Sequence, residues 1–190
     1  MSVLIDSYSE VNSDCYYLNY TGVQEEVGQS FAVVKSAVLS ECRVWLLKNG
    51  SPTGNCSVKV YAHTGTYGTD GKPTGSVLAT SSTLDVSTLI DGTTLYEYTF
   101  TFSGANKITL AADTKYCLEV AYGQGDVDNL IGIGADWSTS TYAGNISWTN
   151  DGTNWITSSS NDICFYIYGE RGPAVGDKAP LPTFVNGFNG

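Results

Sequence analysis

These 190 residues predict an all-β protein of sandwich or barrel type, and three observations carry that prediction. Apolar residues alternate: Tyr96, Tyr98, Phe100 and Phe102 take every second position of LYEYTFTF at 95–102, and Cys56, Val58 and Val60 do the same in NCSVKVYA at 55–62. A period of two puts alternate side chains on one buried face of a strand. Clusters of Gly, Pro, Asn and Asp punctuate the short apolar runs at 48–54, 69–73, 123–126 and 150–152. Finally, Gly, Thr, Ser and Tyr are plentiful, whereas the straight-chain helix formers Glu, Lys, Arg and Met are scarce.

Taken in order, strands are expected at 2–5, 14–20, 28–34, 37–48 and 55–63, where aromatic and β-branched residues dominate or alternate with polar ones. Further strands are expected at 76–81, 95–103, 107–110, 115–122, 130–136, 145–149 and 162–169, each bounded by turn residues. Residues 84–90 (LDVSTLI) come nearest to a helical pattern and are expected to hold a single turn. WTNDGTNW at 148–155 reads as a hairpin, because AspGly suits the positive φ angles of its tight turn. Many short strands between turn clusters point to a sandwich or barrel. The alternation stops near residue 171, so we expect a β-domain over 1–170 and an extended Pro/Gly-rich tail over 171–190.

A formal charge of -10 argues against nucleic acid, which requires a basic stripe to displace counterions. Anionic membrane surfaces are disfavoured for the same reason, and no apolar run approaches a membrane span, so no membrane insertion is expected. The apolar run at 3–5 lacks a basic leader and is followed at once by acids, so synthesis in a cytoplasm is expected. Cys15, Cys42, Cys56, Cys117 and Cys164 contain no CxxC pair, which argues against zinc. Cys42 and Cys56 lie in phase with apolar neighbours and read as small buried hydrophobes.

Several segments, in order, resemble a known family. They are GQSF at 28–31, VWLLKNGSPTGN at 44–55, VKVYA at 58–62, KPTGSVLATS at 72–81, YTFTFS at 98–103 and LAADTKYCL at 110–118. Together they resemble the choice-of-anchor type of jelly-roll β-sandwich, found in bacterial surface proteins and in phage or prophage structural proteins. The resemblance covers roughly 25–169 and implies an antiparallel sandwich of jelly-roll type with an extended C-terminal tail. It transfers no catalytic residue, because the family is defined by architecture, and fold does not fix function.

Catalytic candidates are few. His63 is the sole histidine and is expected to be exposed at a strand end, so a nucleophilic triad has little to draw on. A small glycan hydrolase would need paired carboxylates, but Glu25 and Glu26 are adjacent, and Glu97 and Glu119 are expected to meet solvent. We therefore expect no enzyme. Asp126, Asp128 and Asn129 are weak candidates for calcium, with Asp136 as a further oxygen donor. Trp137, Tyr142, Trp148 and Trp155 fall within one short window and are the candidates for stacking on a host-surface glycan. Trp45 shares its phase with Glu41, Arg43 and Leu47 and is expected on an outer face, beneath another protein. In the tail, Pro180, Pro182, Phe184, Val185 and Phe188 are the candidate attachment residues.

The resulting expectation is a non-enzymatic structural protein on a virion surface: a capsid decoration, head-fibre or tail-associated protein. Its partners would be a major capsid or tail protein and further copies of itself. A carbohydrate-binding adhesin module is the alternative.

Overall fold

Residues 2–18, 26–138, 140–149 and 154–171 are described by the structure, a computed structural model. The expected strands form, and in chain order they are β1 (Ser2–Tyr8), β2 (Asp14–Leu18), β3 (Glu26–Val33), β4 (Ala37–Asn49) and β5 (Asn55–Thr64). There follow β6 (Lys72–Thr80), β7 (Leu84–Asp85), β8 (Tyr96–Thr101), β9 (Thr109–Leu110) and β10 (Thr114–Ala121). The last are β11 (Leu130–Asp136), β12 (Ile146–Thr149), β13 (Trp155–Ser158), β14 (Asp162–Ile163) and β15 (Phe165–Glu170).

Two antiparallel sheets pack together as a β-sandwich. The first runs β1-β15-β4-β11-β14, with β2 on β11 and with β8 and β9 on β4. The second runs β13-β12-β3-β10-β5-β6, with β7 on β5. The chain crosses repeatedly between sheets, so neighbours in a sheet are mostly distant in sequence. β4, with 13 residues, organises the first sheet. One of its edges carries β9 and β8, and the other carries β15 and β11. Between Leu39 and Glu41 the register with β15 shifts, and the extra residue, Ser40, donates its hydroxyl to the Tyr168 carbonyl at 3.2 Å.

The core lies where the inward phases meet. Leu39, Cys42, Val44 and Leu46 of β4 join a cluster with Phe31, Val33, Val58, Val60, Leu118 and Val120. Each such side chain, fully buried, stabilises the fold by ~1.5–3 kcal/mol relative to exposure. In β8 the alternation holds but burial fades: Phe100 is 1% exposed and Tyr96 41%. The reason is that β8 pairs only with β4 and runs out along an edge.

Two differences from expectation have local causes. The strand expected at 162–169 is two strands, broken at Cys164, whose N–H donates to the Gly134 carbonyl at 2.9 Å. β6 begins at Lys72 and includes Pro73, which an edge strand tolerates because one row of N–H groups is unused. The hairpin of β12 and β13 pairs Trp148 with Ile156, and its AspGly turn lies outside the described residues. The expected helical turn is present as a 3-10 turn at Val86–Thr88, with Asp85 Oδ1 accepting the Ser87 N–H at 2.9 Å. All five cysteines are free thiols, and Cys42 and Cys56 are buried as expected. The tail candidates Pro180, Pro182, Phe184, Val185 and Phe188 lie outside the described residues.

Candidate functional site

Carboxylates converge at one end of the sandwich, where β1, β3, β11 and β14 meet the 137–145 loop. Asp6 Oδ2, on β1, accepts the Ala32 N–H at 2.7 Å and the Tyr142 hydroxyl at 2.5 Å. Asp136, at the end of β11, accepts the Ser138 N–H and hydroxyl at Oδ1, both at 2.9 Å, and the Tyr8 hydroxyl at Oδ2, at 2.6 Å. Asp162 stands opposite Asp136 in the β11–β14 ladder. Its Oδ1 accepts Gln29 Nε2 at 2.5 Å, and its Oδ2 is bonded by the Ser140 hydroxyl. Gln29 also accepts the Ile163 N–H at 2.8 Å, so one side chain ties β3 in the second sheet to β14 in the first. Gln29, Asp136 and Asp162 are fully buried. Tyr8, Tyr142 and Phe165 rings pack in series through this cluster, with centroids 5.8 and 5.5 Å apart.

Burial sets the electrostatics here. Loss of water pushes the Asp162 carboxyl up to about 7; the Ser140 and Gln29 hydrogen bonds oppose this, and the Asp136 charge adds to it. Burial and the Asp6 charge likewise raise the Tyr142 phenol. Asp6 and Asp162 each accept hydrogen bonds from β3 of the second sheet and from the segment after β11, while Asp136 accepts from Tyr8 of β1 and from Ser138. The arrangement therefore acts as a clamp between sheets, which fixes one packing among alternatives.

The four aromatics of the Trp-rich window do not converge. Tyr142 belongs to the buried cluster, and Trp148 packs against the core. Trp155 lies over Gly28 on the outer face of the second sheet, where any Cβ would meet its ring at 3.6 Å. Trp137 turns the other way, beside Tyr16, with ring centroids 5.2 Å apart. With Val11, Ser13, Asp14 and Ser138 it lines an open depression of about 610 Å³.

Other sequence candidates fall elsewhere, with corrections. Glu119 does not meet solvent: its side chain is 1% exposed, and it accepts Lys59 Nζ at 2.9 Å. Lys59 also stands 3.9 Å from Glu26, whose carboxyl is raised by burial and by the Glu119 charge. Tyr61 also stands against Glu119, and further along the same face Asn145 Oδ1 accepts the N–H groups of Gly68 and Gly71 and the Ser30 hydroxyl, which ties the 64–72 turn to β3. Glu97 is solvent-facing beside Arg43, at 3.3 Å. Glu25 lies outside the described residues. His63 is half-buried rather than exposed: it sits in β5 with its ring 6.0 Å from Tyr67, and burial and Lys115 lower its pKa. Trp45 does lie on an outer face, where it is 9% exposed with its ring 5.4 Å from that of Tyr166.

In the 126–129 loop, Asp126 turns its oxygens onto the Asp128 and Asn129 N–H groups, and Asn129 Oδ1 accepts the Ser51 N–H at 2.9 Å. Asp136 sits at the opposite end of β11 from this loop. Among the described residues, no three His, Cys, Asp or Glu side chains group as a metal site.

Sequence reasoning missed the Asp6–Asp136–Asp162 cluster. Its one legible signal was Gln29, a polar residue in the inward phase of Val27, Phe31 and Val33. Compared with family models, curated proteins and solved structures, the chain matches none.

Proposed function

We propose that this chain is a non-enzymatic structural subunit, a β-sandwich displayed on the surface of a phage-like virion and attached to neighbouring subunits through its termini. The observation that carries the non-enzymatic part is the engagement of the converging carboxylates. Asp6, Asp136 and Asp162 each accept hydrogen bonds that hold β-strands and the 137–145 loop in place, and Gln29 and Asp162 are fully buried. A carboxylate committed in this way is poorly placed to move a proton to or from a substrate, because general acid–base chemistry needs reach as well as a suitable pKa. The virion setting follows the resemblance of residues 25–169 to a display-type sandwich, and the acidic charge suits a surface that must stay soluble.

The test is biochemical purification of the particle. The protein should co-purify with a major capsid or tail protein in fixed stoichiometry, and deletion of 171–190 should release it while the domain stays folded. Recovery of the full-length protein only as a free species, from a preparation whose particles are intact, refutes the proposal.

A further inference from the structure

We propose that the depression beside Trp137 is a binding site for a neutral pyranose, the terminal or internal unit of a surface glycan. The inference goes beyond the structural role and holds whether or not the particle setting does.

The argument begins with the platform. Trp137 follows directly on β11, and its ring is backed by Tyr16 of β2, with centroids 5.2 Å apart and planes 30° apart. A half-buried indole fixed from behind presents its remaining apolar area at little cost in lost motion, and the C–H face of a sugar ring is a flat apolar surface of matching size. The indole N–H makes no hydrogen bond among the described residues, which leaves it able to donate to a ligand.

The polar rim is just as specific. Ser138 gives its hydroxyl hydrogen to Asp136 Oδ1 at 2.9 Å, so the oxygen has acceptor capacity left for a ligand. Asp14 is exposed, and its Oδ1 accepts the Cys15 N–H at 2.7 Å. Its Oδ2 accepts nothing among the described residues. Ser13 adds a hydroxyl that can do either. The depression thus combines one aromatic face, one N–H donor and several acceptors within about 610 Å³. A pyranose offers the complement: an apolar C–H face and adjacent hydroxyls, each able to donate and accept. An anionic ligand is disfavoured by Asp14 and by the formal charge of -10. Few rigid aromatic contacts with a small set of placed polar groups are the general composition of such sites.

The experiment is titration of the full chain, by calorimetry and Trp fluorescence, with oligomers of glucose, galactose, mannose and N-acetylglucosamine and with an uronic-acid oligomer as the anionic probe. At least one neutral oligomer should bind saturably at micromolar to millimolar concentration, and the uronic-acid oligomer should bind more weakly. Trp137→Ala and Asp14→Asn should each weaken binding by about tenfold or more, the difference that 1.4 kcal/mol makes. Trp137 also touches the core, so Val11→Trp is the second variant: Val11 is 83% exposed at the rim, and the larger side chain should block the depression without disturbing the fold. Trp155→Ala should leave affinity unchanged, because that ring lies on the other sheet. The inference is overturned by the absence of saturable binding across the panel, or by binding that survives Trp137→Ala, Asp14→Asn and Val11→Trp.

Discussion

Replacing Asp162 by Asn should make the protein more stable at pH 8 and should remove part of its pH dependence. Asp162 is fully buried, and its carboxyl is pushed from 3.8 up to about 7 by burial. Between those values the folded protein holds a proton that the unfolded chain has released. The contribution of this group is therefore fully present below pH 3.8 and is lost as pH rises through about 7. At ~1.36 kcal/mol per pH unit the gap corresponds to ~4 kcal/mol as a ceiling, and water access and relaxation bring the expected figure to ~2–4 kcal/mol. Asn reproduces the protonated acid: its carbonyl oxygen accepts Gln29 Nε2, and its amide donates to the Ser140 hydroxyl. Urea unfolding of both proteins at half-unit intervals from pH 4 to 8.5 measures the difference. The curves should coincide near pH 4 and separate up to pH 8, where the variant leads by ~2–4 kcal/mol, or roughly 5–15 °C in Tm for a domain of this size. Other titrating groups cancel in the comparison. Parallel curves, or a variant that is less stable at pH 8, refute the argument that a buried, neutralised carboxyl sits at this position.

Three further outcomes are expected. Gln29→Leu keeps the volume but leaves the Ile163 N–H and Asp162 Oδ1 without their partner, and should cost ~2–5 kcal/mol by denaturant titration. Lys59→Met strands Glu119, which is 1% exposed, and should cost ~2–3 kcal/mol at pH 7 once the partial exposure of Lys59 is allowed for; adding Glu119→Gln should recover most of it in a double-mutant cycle. Burial pushes the Cys56, Cys117 and Cys164 thiols up to about 12 and raises Cys42 too, whereas Cys15 rises to about 11 and is half-buried. A thiol-reactive disulfide reagent at pH 8 should therefore modify Cys15 first and slowly, with the other four reacting only on unfolding.

The legible and illegible parts of this fold differ by a physical rule. β4, β5 and β10 were readable because their inward residues alternate and face a core built from the same pattern, so a local signal reported a local fact. The break at Cys164 was not readable, because it depends on a carbonyl of Gly134, a residue thirty positions away in sequence. Glu119 was misplaced because the polar phase of a strand was equated with solvent. In the structure Lys59 and Tyr61 of the paired strand stand against it, and Ser30, Ser147 and Thr149 on the same face are fully buried as well. Sequence alternation reports which face a residue takes and carries no information on what other segments lay against it. The candidate site shows the same limit: Trp137 was identified, but its separation from Trp148 and Trp155 follows from the assignment of β11 and β12 to different sheets.

Three consecutive residues at the end of β11 join the scaffold to the proposed binding face. Asp136 points into the protein, Trp137 faces the depression, and Ser138 is fixed by two hydrogen bonds to Asp136 while it lines the same depression. Asp136 therefore does more than hold Tyr8. By taking the Ser138 hydroxyl hydrogen, it determines that this oxygen meets a ligand as an acceptor. Asp136→Ala should thus weaken pyranose binding several-fold and reduce stability together, because the Ser138 hydroxyl is freed to rotate and the turn that carries Trp137 loses two anchors. Asp162→Asn alters the same buried network on the side of Gln29 and Ser140, away from Trp137, and should leave affinity unchanged while it shifts the pH profile of stability. If the two substitutions moved affinity by equal factors, the network would be acting through overall rigidity rather than through the orientation of Ser138. Unequal effects would locate the coupling in the Asp136–Ser138 hydrogen bonds.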